Sequence, residues 1–238
     1  MTSTQIPLGI GLRDSSVFAS YWAGRNRAAI DALLALVPQS LPTCVWLQAA
    51  AGLGKTHLLQ ALCARAGERG ESAAYLPLQE ARSMGPEVLA GLGQLALVCL
   101  DDAEEVLGDS EWERALFRLH QELDEQRGRV VVSATKPPAA LPIKLRDLAS
   151  RLNGGLVLTL QPLDDAEQVE ALQLRAQLRG FELPDETAQF LIRRLPRQMA
   201  ALFSFLDRLD RASLVAQRKL TVPFVKEVLS QEHLRDPQ

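Results

Sequence analysis

Ala49-Ala50-Ala51-Gly52-Leu53-Gly54-Lys55-Thr56-His57 decides the fold. It nearly completes the phosphate-loop pattern G-x-x-x-x-G-K-[ST]. Before it, Cys44-Val45-Trp46-Leu47 reads as a buried strand. After it, Leu58-Leu59-Gln60-Ala61-Leu62-Cys63-Ala64 reads as a helix. A strand, a Gly-rich turn and a helix aim successive backbone N–H groups at an anion, with the helix dipole behind them. In such a loop Lys55 reaches the β- and γ-phosphates and Thr56 holds Mg²⁺. Ala49 stands where the pattern has its first glycine. A glycine there relieves backbone strain, and alanine can replace it if φ stays negative.

The 238 residues allow one large domain or two small ones, and 47% hydrophobic residues suffice for a core. The net charge of −3 gives no electrostatic footprint for nucleic acid. Cys44, Cys63 and Cys99 sit in apolar segments without metal-ligand spacing, and read as buried thiols in a reducing compartment. Met1-Thr2-Ser3-Thr4-Gln5 has no basic n-region or apolar core, and no apolar run approaches 18 residues. A cytoplasmic protein without a membrane span is expected.

Strand-like runs at Thr43–Leu47, Ser72–Tyr75, Leu95–Leu100, Val130–Ser133 and Leu156–Leu160 alternate with helical patterns near 55–66, 86–92, 110–126 and 144–151. This alternation predicts an α/β fold with a parallel sheet covered on both faces. After Gln161-Pro162 only helical patterns follow, near 165–178, 185–194, 197–215 and 222–231. Asp164 with Glu167 forms a capping-box signature at the first of these. The predicted organisation is an N-terminal arm over 1–12, an α/β domain over 13–162 and a small all-helical domain over 163–238.

Leu95-Ala96-Leu97-Val98-Cys99-Leu100 ends in Asp101-Asp102. Carboxyl ends of parallel strands face the ligand crevice. Asp101 is therefore a candidate Mg²⁺ ligand and Asp102 a candidate for orienting an attacking water; the alternative is a solvated helix cap. Thr135, after the strand at 130–133, is a candidate partner of a γ-phosphate or of that water, or a plain turn residue. Arg151 ends a helix, where a cation suits the dipole. It is either a surface charge or an arginine finger serving a nucleotide on a neighbouring subunit. Arg197 follows Pro196 near a predicted helix start, where the dipole disfavours a cation. It is either solvated or faces the β/γ-phosphates.

A phosphate loop, an acidic strand end, a polar strand end and two such arginines, in this order, resemble the AAA+ ATPase family. Gly52-Leu53-Gly54-Lys55-Thr56-His57-Leu58-Leu59 is similar to the loop of the replication initiator DnaA. Phe18-Ala19-Ser20-Tyr21-Trp22-Ala23-Gly24-Arg25-Asn26 is similar to the start of that domain, where adenine packs. Residues 147–152, 174–184, 209–213 and 216–226 resemble the Hda family, DnaA-related proteins that inactivate the initiator. The resemblance implies an AAA+ fold with a helical lid. It implies a site for ADP (or ATP) and Mg²⁺ at Trp22, Ala23, Gly24, Gly52, Leu53, Gly54, Lys55, Thr56, His57 and Arg197. It also implies DnaA as a partner, with Arg151 acting in trans on the ATP that DnaA holds.

Gln5-Ile6-Pro7-Leu8-Gly9-Ile10 resembles the motif that docks replication proteins on the sliding clamp, the β subunit of DNA polymerase III. Gln5, Ile6, Leu8 and Ile10 would be its anchors in a preformed groove. Gly9 departs from the family, where a bulkier residue or proline is usual. No helix-turn-helix is expected beyond residue 238, so sequence-specific DNA binding is not expected either. Three matters stay open: whether the chain is itself an active DnaA-like ATPase or helicase loader, whether it is a clamp adaptor with a purely structural nucleotide site, and whether it dimerises.

Overall fold

The structure is a computed structural model that describes residues 16–36 and 43–233. Gln5, Ile6, Leu8 and Ile10 lie outside the described residues. Among the described residues, no helix is long and apolar enough to cross a membrane. The chain divides into two compact units. One holds residues 16–18, 28–36, 43–50 and 54–160; the other holds 19–27, 51–53 and 161–233.

The first unit is built on five strands: β1 (Thr43–Gln48), β2 (Ala73–Pro77), β3 (Leu97–Asp101), β4 (Arg129–Ala134) and β5 (Leu156–Thr159). All pair in parallel, in the order β2-β3-β4-β1-β5. β3 and β4 are buried along their whole length. That is why they read as unbroken apolar runs rather than as alternating patterns. Helices α1 (Arg27–Leu36), α2 (Lys55–Glu68), α3 (Leu78–Ala81), α4 (Ser110–Gln126) and α5 (Arg146–Gly154) accompany the sheet.

Side chains alternate across the strands and define two faces. Trp46, Val98, Leu100, Val130 and Val132 pack with Trp112, Leu116, Leu119 and Leu123 of α4 and with Leu148 and Leu152 of α5. The opposite face, with Leu97, Cys99, Val131 and Ser133, receives α2, whose Leu58, Leu59 and Leu62 are fully buried. Helix α4 begins at its Asp109 cap, which accepts from the N–H groups of Glu111 (2.8 Å) and Trp112 (3.3 Å).

One expectation changes here, and one helix is new. The helix predicted near 86–92 is a pair of 3₁₀ turns, Pro86–Leu89 and Leu92–Gln94. Extended Ala90 and left-handed Gly91 (φ 82°) separate them, a geometry that interrupts any α-helical hydrogen-bond ladder. Helix α1 carried no expectation, although buried Ala29, Ile30, Leu33 and Leu36 fall at helical spacing.

The second unit contains α6 (Asp165–Leu178), α7 (Asp185–Arg194), α8 (Met199–Ala216) and α9 (Val222–His233). Leu172, Leu191, Leu202, Leu206, Leu209 and Val225 form its fully buried core, with Phe205 almost as deep. Both halves of the Asp164–Glu167 capping box are made. Helix α8 starts two residues later than expected. Gln198 is its cap residue, so Arg197 precedes the helix instead of opening it.

Candidate functional site

The phosphate loop has the backbone that its sequence demands. Gly52 (φ 81°) and Gly54 (φ 91°, ψ 21°) take left-handed conformations that favour glycine. The non-glycine residues of positive φ among those described are Asp102, Arg127 and Gln217, so Ala49 keeps a negative φ, and its methyl group is buried. That is how alanine replaces the missing glycine. Lys55 is buried, with Nζ 3.3 Å from the Ala49 carbonyl and 3.7 Å from Asp102 Oδ1. His57 Nε2 lies 3.0 Å from the Val17 carbonyl, which fixes its ring against the segment before the first 3₁₀ turn.

Asp101 ends β3 with 2% exposure. Its Oδ2 accepts from Thr56 Oγ1 at 2.6 Å and from the Tyr75 hydroxyl at 2.9 Å; its Oδ1 accepts from Ser133 Oγ. Ser133 Oγ also accepts the Asp102 N–H at 3.1 Å. Burial, then the charge of Asp101, pushes the Tyr75 phenol far up, so it stays a neutral donor. Asp102 follows in left-handed geometry (φ 56°, ψ 57°). Burial first, and then Asp101, raises its carboxyl above the usual range, while Lys55 opposes the shift.

The structure thus brings Lys55, Thr56, Asp101 and Asp102 together, as their sequence positions predict. It adds Tyr75 and Ser133, which had no assignment. Thr135 lies just past the end of β4, exposed, its N–H bonded to Glu104 Oε1 at 2.9 Å. The hydroxyl that β4 brings to Asp101 belongs to Ser133.

The hard oxygens of Thr56 and Asp101 suit Mg²⁺. Among the described residues, no group of three or more His, Cys, Asp or Glu side chains could hold a metal alone. A cation at Thr56 and Asp101 would therefore complete its shell with phosphate and water oxygens.

Arg151 lies in the last turn of α5 and is held by α4. Its Nη1 donates to Asp124 Oδ2 and approaches His120 Nδ1 at 3.3 Å. Its guanidinium carbon stands 5.3 Å from the Phe117 ring centroid, a cation–π distance. Among the described residues no acceptor meets Nε or Nη2, the side-on edge that can grip two oxygens at once. About a third of the side chain is exposed. The start of α5 is fixed from the same helix. Fully buried Glu113 accepts the N–H groups of Gly108 (2.8 Å), Lys144 (3.0 Å) and Leu145 (2.7 Å).

In the second unit, the 19–27 segment is tied to the first helical residues. Arg25 reaches Asp164 and Glu167 Oε2 (2.6 Å), and its N–H reaches Glu167 Oε1 at 2.8 Å. Asn26 exchanges two hydrogen bonds with the Gln161 backbone, at 3.0 and 2.7 Å. Gly24 takes a left-handed conformation (φ 44°) that favours glycine, and a Cβ there would also press on Glu167 Oε1, 2.7 Å away. Ala23 is buried, as is Trp22 Nε1, which has no hydrogen-bond partner among the described residues. The Tyr21 hydroxyl donates to the Leu53 carbonyl at 3.1 Å. Arg197 is 72% exposed and pairs with Asp165 at 3.2 Å. Its carbonyl accepts from Gln168 Nε2 at 3.1 Å.

This fold is that of AAA+ domains. Over 93% of the chain it is similar to domain III of the Thermotoga maritima replication initiation protein DnaA, at 20% identity, with 98% of that domain covered and a TM-score of 0.76. It is similar to AMPPCP-bound DnaA from Aquifex aeolicus at 20% identity, covering 84% of this chain and 65% of that one, with a TM-score of 0.73. The Thermotoga maritima RuvB branch-migration motor matches at 17% identity, 87% and 68% coverage and a TM-score of 0.66.

The fold class is therefore that of AAA+ domains, with a phosphate loop and a helical lid region. Residues 165–229 match the family model described as Hda, lid domain. Over that segment the chain is similar to the Hda lid, and the fold as a whole is similar to that of DnaA domain III.

Proposed function

We propose that this chain is a cytoplasmic negative regulator of replication initiation. It binds ADP, docks on the DNA-loaded sliding clamp through Gln5, Ile6, Leu8 and Ile10, and stimulates hydrolysis of the ATP bound to DnaA. The observation that carries the reading is Arg151, clamped through one guanidinium nitrogen with its side-on edge open. A guanidinium ordered before docking loses little side-chain entropy when it meets a phosphate. It then stabilises the charge on the transferring phosphoryl group, a contribution of about 10³–10⁵ in rate for finger arginines.

The chain's own nucleotide supports the assembly. Lys55 and the N–H groups at the start of α2 would bind the phosphates, Thr56 and Asp101 would hold Mg²⁺, and the Trp22–Gly24 segment would pack on the base. The Mg²⁺ would neutralise phosphate charge. Arg197, exposed and singly paired, can leave Asp165 for an anion. AMPPCP in the Aquifex relative supports a nucleotide site in this fold.

The test is hydrolysis of ATP-loaded DnaA with clamp on DNA. Arg151→Ala removes most of the stimulation, about 10³-fold, while ADP and clamp binding stay close to wild type. Arg151→Lys also fails, because lysine lacks the planar fork. Wild-type stimulation by Arg151→Ala would overturn the reading. A second reading, a self-active ATPase, draws on the assembled Lys55, Thr56, Asp101 and Asp102. Steady turnover by the isolated protein, lost in Lys55→Ala, would favour it.

A further inference from the structure

Asp101 accepts three hydroxyl groups from three elements: Thr56 of α2, Tyr75 of β2 and Ser133 of β4. A carboxylate offers about four acceptor positions, so little of this one is left unused. The three hydroxyls differ in what else they do. Thr56 is itself a hard oxygen for a cation. Ser133 takes the other carboxylate oxygen and also accepts the Asp102 N–H, so it orders two consecutive acidic residues.

Tyr75 shares Oδ2 with Thr56, the oxygen on the cation side. Buried Gln60 favours the ionised phenol, against burial and Asp101, and so polarises its O–H toward Asp101. Gln60 stands four residues after Thr56 on α2, so both reach the same neighbourhood.

A donor on Oδ2 withdraws charge from the oxygen that a cation at Thr56 would meet. We propose that Tyr75 is a positioning residue that sets the divalent-cation affinity of the site, holding it below what Asp101 and Thr56 alone would give. This rests on the nucleotide-site reading above. Tyr75→Phe keeps the ring and removes only the donor. Thr56 and Ser133 still hold both carboxylate oxygens, so Asp101 stays in place while its charge rises.

The experiment uses the full chain with saturating ADP and Mn²⁺ as the probe, reading free Mn²⁺ from its electron paramagnetic resonance signal. Tyr75→Phe lowers the half-saturating Mn²⁺ concentration by about tenfold. ADP affinity without cation stays unchanged. Ser133→Ala goes the other way, because Asp101 and Asp102 lose their common tie. If Tyr75→Phe folds poorly, Gln60→Met gives a smaller shift in the same direction as expected for Tyr75→Phe, by weakening the phenol as donor. An unchanged or raised half-saturation in Tyr75→Phe overturns the proposal, as does a fall in melting temperature with no change in cation affinity. Wild-type protein that binds no Mn²⁺ with ADP also overturns it. In that case, thermal stabilisation by ADP alone shows whether the nucleotide reading survives.

Discussion

Arg151 and Arg197 are both candidates, on the sequence, for meeting phosphate, each with a surface charge as the alternative, and they are held by opposite means. Arg151 rides on α5, whose start is nailed to α4 by buried Glu113 and whose last turn is gripped by Asp124, His120 and Phe117. Arg197 precedes α8 with one exposed partner, Asp165. The first setting builds a fixed donor edge before any partner arrives. The second leaves a long side chain free to change partners, at an entropic cost on binding. A fixed arginine suits a task that depends on orientation. A loose one suits binding of a ligand that comes and goes.

The sharpest way to break this contrast is to remove the bracket. Glu113→Ala empties a fully buried position and takes the shared acceptor from the N–H groups of Gly108, Lys144 and Leu145. It is expected to cost about 3 kcal/mol of unfolding free energy in urea titrations and to abolish stimulation of DnaA. Full stimulation despite that loss would show that α5 needs no such anchor.

Asp124→Ala tests the grip itself. The stimulated rate should fall about tenfold, with little change in the DnaA concentration giving half-maximal effect. Stability should move by under about 1 kcal/mol, because the ion pair is partly exposed. A faster rate would mean that Asp124 restrains Arg151 instead of aiming it.

Arg197→Ala should weaken ADP binding by about threefold to tenfold in calorimetry. Stimulation at saturating ADP should stay normal. If stimulation falls while ADP binding holds, the two arginines have been assigned the wrong way round.

The smallest effect concerns charge. Backbone N–H bonds and Arg25 lower the carboxyls of Asp164 and Glu167, so their contribution is present above the ordinary carboxylate range and is lost as pH falls through the lowered values. Asp102 has the opposite sign. Its raised carboxyl makes the folded state bind more protons, so stability falls as pH rises from the ordinary value to the raised one. Asp102→Asn should therefore raise the melting temperature at pH 7 by about 1–2 °C, kept small by exposure and by Lys55. A lowered melting temperature would mean that the Lys55 pair outweighs the repulsion from Asp101.

The strands, the phosphate loop, α4 and the helical lid were legible because each rests on local chemistry. Buried parallel strands require apolar runs, the loop requires glycine at left-handed positions, and helix starts require capping side chains such as Asp109 and Asp164. Lys55, Thr56 and Asp101 were legible because a loop and a strand end place them.

Tyr75, Ser133, Glu113 and Asp124 were not legible. The pairings of Tyr75 and Ser133 with Asp101, of Glu113 with Lys144 and Leu145, and of Asp124 with Arg151 span 26 to 32 residues of chain, and no local spacing records such meetings. Strand order β2-β3-β4-β1-β5 sets β2 and β4 beside β3 and thereby delivers two hydroxyls to Asp101. The sequence by itself determined the phosphate loop with its left-handed glycines, the acidic end of β3 and the capping box that opens α6. The tertiary structure decided which hydroxyls share the Asp101 carboxylate and which edge of Arg151 is left open, because hydrogen bonds form only between groups that the sheet and the α4–α5 packing bring within reach.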